Sequence, residues 1–146
     1  MKSAANRGGF IENVFVDNLE MVNVSYPIHM CLNWNPAYSY CELPEGYEGE
    51  IPFHWNILTE KVDRETGIPR VKNITVKNIN SYNEADYQGT SRAFEMEAFL
   101  EKPMSDIFFE NVKIKAAEFG YIQCVENLRF QNVEISVKDE PGKGSF

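Results

Sequence analysis

Apolar and polar positions alternate in short runs along this chain, and one such run recurs four times. The segments IENVFVDNLEM (11–21), VKNITVKNINS (71–81), MSDIFFENVKI (104–114) and VENLRFQNVEI (125–135) align without gaps. The third place holds Asn13, Asn73, Asp106 and Asn127, and five residues later stand Asn18, Asn78, Asn111 and Asn132. Between these marks the apolar residues alternate: Val14 and Val16, Ile74 and Val76, Ile107 and Phe109, Leu128 and Phe130. A period of two is that of a strand with one buried face. Asparagine tolerates the left-handed backbone conformation, so each second mark predicts a corner between two short strands. Segments sharing one template stack in space, and the recurring asparagines are then expected to bond from level to level as a ladder.

The second asparagines are separated by 60, 33 and 21 residues. One coil of a stacked β structure takes about 20–30 residues, within the range of stacked repeats generally. The last two intervals therefore read as single coils, and the first must hold an extra coil, a large loop, or both. The stretch from about 33 to 67, rich in Pro, Gly, Tyr and Glu, supplies a loop. The chain thus reads as all-β: one partial right-handed parallel β-helix of about four to five coils over 1–146, with that insertion and a polar tail over about 138–146. The apolar spacing of three and four that an α-solenoid needs is missing. A β-sandwich is the structural rival, although its strands need not share one polar template in register.

At 146 residues the chain can build a real core, and no apolar run is long enough to span a bilayer. A formal net charge of −8 argues against a nucleic-acid partner. The exception lies at the start, where Lys2 and Arg7 are the only charged side chains before Glu12. Cys31, Cys41 and Cys124 do not make a disulfide framework. A Cys31–Cys41 pair and idle thiols both remain open. No signal peptide is visible, as in a chain cut from a longer precursor.

His29 sits among apolar neighbours and reads as structural, and His54 lies in the loop without a partner motif. Neither has metal-ligand spacing, so no metal and no cofactor is expected. Glu95, Glu97 and Glu101 alternate with apolar residues and read as the outer face of a strand. Asn23-Val24-Ser25 and Asn73-Ile74-Thr75 match the glycosylation pattern, but both lie in the repeat, where asparagine has a structural use.

The order KSAANRGGFIENVFVDNLEMVNVSYPI, VKNITVKNI, EKPMSDIFFENVKIKAAEFG resembles the C-terminal part of glycoside hydrolase family 28. Its members are the polygalacturonase-like, pectin-degrading enzymes, built as right-handed parallel β-helices. The resemblance runs from Lys2 to about Val137 apart from the loop, and its more specific marks are Lys2-Ser3, Gly8-Gly9 and Pro27-Ile28. It implies that Lys2 is the lysine of an Arg-Ile-Lys motif that grips the substrate carboxylate; the arginine is missing, and Met1 stands where the isoleucine would be. Trp34 takes the place of a tyrosine lining the sugar site. Arg7 is a second candidate substrate cation, with a surface ion pair as its alternative role. Tyr38, Tyr40 and Tyr47 in the loop either face sugar or pack the loop down.

The family's catalytic aspartates, from Asn-Thr-Asp-like and Asp-Asp motifs with a Gly-His-Gly nearby, are not in this sequence. The resemblance therefore implies a galacturonan-binding portion of an inverting hydrolase that does not cleave alone. Its acidic-polysaccharide partner would be met in a secreted or periplasmic parent, with neither nucleic acid nor membrane involved. A non-catalytic carbohydrate-binding or structural solenoid is the alternative. A β-helix open before its first coil also exposes unpaired backbone and core, which predicts self-association through the N-terminal end.

Overall fold

The left-handed asparagines organise the backbone. In the computed structural model, which describes residues 1–6, 8–32, 34, 42–60 and 62–138, every marked position of the repeat has a positive φ, from 49° at Asn127 to 58° at Asn13 and Asn18. The marks do not end strands, however. Each repeat lies within one continuous 13-residue strand: β1 (Phe10–Val22), β3 (Arg70–Tyr82), β5 (Met104–Ala116) and β7 (Val125–Val137). The bends fall at the same level in all four strands, so pairing resumes on both sides of each and the expected corner becomes a shared crease. Inward positions slip by one at every crease. In β5 the buried residues are Met104, Ile107, Phe109, Val112, Ile114 and Ala116, with the longer steps straddling Asp106 and Asn111.

These strands form a parallel sheet in the order β1-β3-β5-β7. A second parallel sheet, β2-β4-β6, is made of the short strands β2 (Ile28–Cys31), β4 (Arg92–Glu97) and β6 (Glu118–Gln123). The chain visits the two sheets in strict alternation, and among the described residues the protein is all-β apart from two short helices. Direct pairing of β1 with β3, Val14 opposite Ile74 and Leu19 opposite Ile79, settles the long first interval: it holds an insertion and no additional strand of that sheet among the described residues.

The insertion carries the helices α1 (Phe53–Thr59) and α2 (Arg64–Gly67), which the irregular loop sequence did not predict. α1 buries no residue, and Tyr47 packs on Trp55 at 5.8 Å, so these aromatics serve the insertion itself. α2 is tied to the body. Gly8 N–H donates to Gly67 C=O at 2.6 Å, Arg64 pairs with Glu101, and Lys102 Nζ donates to the carbonyl of Ile68. A Cβ on Gly67 would lie 2.7 Å from the Ala5 carbonyl oxygen, so only glycine permits this approach.

One core lies between the sheets. Ile74, Val76, Ile107, Phe109 and Val112 from the first meet Ile28, Met30, Phe94 and Met96 from the second. Phe94 meets Phe109 edge-on at 5.6 Å, and Phe109 stacks on Phe130 at 5.5 Å. The outermost strands fare differently from the inner ones. Phe109 is fully buried, whereas Phe130, one strand further along, is 47% exposed.

Candidate functional site

Sheet alternation decides which side chains of the second sheet leave the core. Ile28 and Met30 point inward, as do Phe94 and Met96, so His29, Cys31, Glu95 and Glu97 lie on the opposite face. Strand register arranges that face in rows. His29, Glu95 and Tyr121 form one, while Cys31, Glu97 and Gln123 form the next. Lys2 joins the second row, because residue 2 bridges in parallel to Cys31, held by Cys31 N–H to the Met1 carbonyl and Ser3 N–H to the Cys31 carbonyl.

Lys2, Tyr26, His29, Cys31, Trp34, Glu95, Glu97 and Tyr121 surround a cleft of 380 Å³, at the lower end of the range of small-ligand sites. The Lys2 ammonium sits over the Trp34 ring, 4.3 Å from its centroid, and Trp34 is 47% exposed. Trp34 N–H donates to the Ser3 carbonyl at 3.4 Å, which ties the ring to the same segment as the lysine. Two residues 32 positions apart thus form one feature at the cleft edge. No family model, no curated protein and no solved structure matches this chain. Its chemistry has to be read from the cleft itself.

The hydrogen bonding is uneven. Tyr121 Oη donates to Glu95 Oε1 at 3.1 Å, and His29 Nε2 stands 3.9 Å from Glu95 Oε2, so Glu95 is held from both neighbouring strands. Burial, then the bond to Glu95 and the nearby carboxylates, pushes the Tyr121 phenol up to about 12. Burial also lowers the His29 imidazole below its ordinary value, outweighing the opposite pull of Glu95. The Glu97 carboxylate makes no hydrogen bond or ion pair among the described residues. Arg92, one row back on β4, is occupied by Glu118 at 2.8 Å. Among the described residues no group of His, Cys, Asp and Glu is arranged to hold a metal ion.

Of the three residues expected to bind substrate, Lys2 and Trp34 share the cleft, and Arg7 lies outside the described residues, as do Tyr38, Tyr40 and Cys41. His29, expected to be structural, is a cleft residue: its apolar neighbours face the core while it faces out. Glu95 and Glu97 are on the outer face of a strand, and that face is the cleft floor. Glu101 lies beyond β4 and pairs with Arg64. Tyr121 gave no sequence signal by itself. Aligning IHMC, FEME and GYIQ would have exposed the row His29, Glu95, Tyr121.

Proposed function

We propose that the protein is the C-terminal part of a polygalacturonase-like glycoside hydrolase, a right-handed parallel β-helix whose cleft on the second sheet binds an acidic glycan. The observation that carries the reading is the Lys2 ammonium seated over the Trp34 ring at the edge of an outward cleft. A galacturonate unit offers a carboxylate for the ammonium and an apolar ring face for the indole, and the pair presents both at one place. The alternation of the chain between two parallel sheets supports the β-helix, in which each return to the first sheet completes a coil. The sequence carries none of the aspartate motifs that the resemblance attaches to cleavage, so the activity assigned to this chain is binding. A pectin substrate implies a secreted or periplasmic parent.

The test is calorimetric titration with an oligogalacturonate. Lys2→Ala should weaken binding about tenfold, the scale of a lost charge-assisted hydrogen bond, and Trp34→Ala should weaken it with the thermal midpoint unchanged. Equal affinity in wild type and both variants would sink the reading. Hydrolysis of polygalacturonate by this chain would overturn the assignment of binding alone, and failure to bind any acidic glycan favours the structural solenoid.

Self-association belongs to the same proposal, with a second copy of the chain as the occupant. Among the described residues the outer edge of β1 has unpaired backbone, and beside it Val14, Val16, Leu19 and Met21 line an apolar hollow of 140 Å³. The side-chain ladder has a direction that suits head-to-tail stacking on β7. Asn73 Nδ2 donates to Asn13 Oδ1 and Asn132 Nδ2 to Asn111 Oδ1, which leaves amide donors at β1 and amide acceptors at β7. Light scattering should show mass growing with concentration, as an interface that does not close on itself requires. A strictly monomeric species at high concentration is the contrary result.

A further inference from the structure

The cleft changes sign across its width. Lys2 stands beside β2 at one edge. Two strand spacings away, about 9.6 Å at the usual separation of paired strands, β4 turns Glu95 and Glu97 into the same opening. The in-register neighbours of these carboxylates bring no cation: His29 and Cys31 on β2, Tyr121 and Gln123 on β6. Burial favours the uncharged form of His29, and the nearby Arg92 is taken up by Glu118. With Lys2 spent on one carboxylate, the β4 side of the opening holds two negative charges.

A polymer with a carboxylate on every unit would have to lay one against Glu95 and Glu97. Like charges at that separation repel, and a carboxylate has no proton to donate to another carboxylate. Sugar hydroxyls do. The Glu97 oxygens have no partner among the described residues, and Glu95 keeps acceptor capacity beyond its bond from Tyr121, which also fixes its orientation. We infer that Glu95 and Glu97 select the glycan unit at the β4 side of the cleft, admitting a neutral or esterified sugar there and rejecting a free uronate, while Lys2 takes a uronate at the other edge. The preferred ligand is therefore a mixed chain, acidic at one unit and uncharged at the next. This selectivity rests on the reading of Lys2 as a uronate ligand.

The experiment compares two probes of equal length, a fully de-esterified oligogalacturonate and a partly methyl-esterified one, by calorimetric titration of the full chain. Wild type should bind the partly esterified oligomer more tightly, by roughly two- to fivefold, the scale of one solvent-exposed charge pair. Glu97→Gln keeps the shape of the side chain and removes its charge, so it should improve binding of the de-esterified oligomer and shrink the preference. Added salt should shrink the wild-type preference, which a purely steric role would leave unmoved. Glu95→Gln is the second variant, read in the same way with thermal melts confirming the fold. A wild-type preference for the de-esterified oligomer, or a ratio unchanged in both variants, overturns the selectivity while leaving Lys2 in place. No binding of either oligomer overturns the uronate reading and this inference with it.

Discussion

The two sheets share parallel pairing and a common core, yet their outer faces are opposites. On the first, polar side chains bond to one another from strand to strand. Asn132 donates to Asn111 at 2.8 Å, Asn111 to Asn78 at 3.1 Å and Asn78 to Asp17 at 2.7 Å, while Lys113 pairs with Glu134 and Lys77 with Glu110. The ladder ends on Asp17 where the repeat would have used Asn18. On the second sheet no residue type repeats across the rows, and the polar groups converge on a cleft in which the Glu97 carboxylate has no partner among the described residues. Repetition with mutual satisfaction marks a face that serves stability. Lack of repetition, with unused hydrogen-bonding capacity among the described residues, is what the proposed binding role asks of the other face.

The severest way to break this comparison is to remove what the sheets share. Phe109 is fully buried between them and touches both Phe94 and Phe130. Phe109→Ala should cost about 3–5 kcal/mol by urea denaturation, the range for deleting a buried aromatic ring. Strand content and cleft binding should disappear in one transition. Two separable transitions would show that the faces rest on independent cores.

A change confined to the first sheet should sharpen the contrast. Asn111 has φ 54° and holds the middle of the ladder. Asn111→Ala leaves in the left-handed region a residue that tolerates it less well than asparagine and removes both side-chain bonds, for about 2–3 kcal/mol in all. Asn111→Gly removes the bonds without the strain and should cost about 1 kcal/mol. Chemical denaturation checks the order, and ligand affinity should be the same in both variants. Equal losses for Ala and Gly would mean that the conformation contributes nothing.

How much of this was legible in the sequence follows from the same contrast. The first sheet could be read because every strand repeats the same marks, and because Asn13, Asn73, Asp106 and Asn127 all require the same unusual backbone. The left-handed marks predict a corner between two short strands, and one strand viewed alone does not reveal that pairing continues past it because its neighbours bend at the same level. The 60-residue interval is ambiguous in sequence, and the bond from Asn73 to Asn13 across the sheet resolves it. The second sheet was nearly invisible: β2 has four residues, and β6 depends on Gly120, whose φ of 85° and close approach to the Phe94 carbonyl admit no side chain. A short strand interrupted by a backbone requirement carries little periodicity. Lys2 and Trp34 were nameable from a resemblance, but Glu95, Glu97 and Tyr121 meet them only through the register of strands far apart in sequence.

The smallest expected effect concerns protonation, and it too should divide the sheets. The sequence has two histidines; His29 lies in the cleft, His54 lies on α1, and the first sheet has neither. The folded-state pKa of His29 lies below its ordinary 6.5, chiefly through burial, with Lys2 and the N-terminal ammonium adding to the depression and Glu95 opposing it. Below 6.5 the unfolded chain therefore takes up a proton that the folded protein refuses until its own lower pKa is reached. Stability must fall with pH across that window, and above it His29 contributes no slope. Urea midpoints at pH 7 and at about pH 5, taken as the difference between wild type and His29→Gln, isolate the histidine from the carboxylate background. Wild type should lose more stability than the variant on acidification. A larger loss in the variant would mean that the Glu95 contact at 3.9 Å outweighs burial and that His29 enters the cleft as a cation.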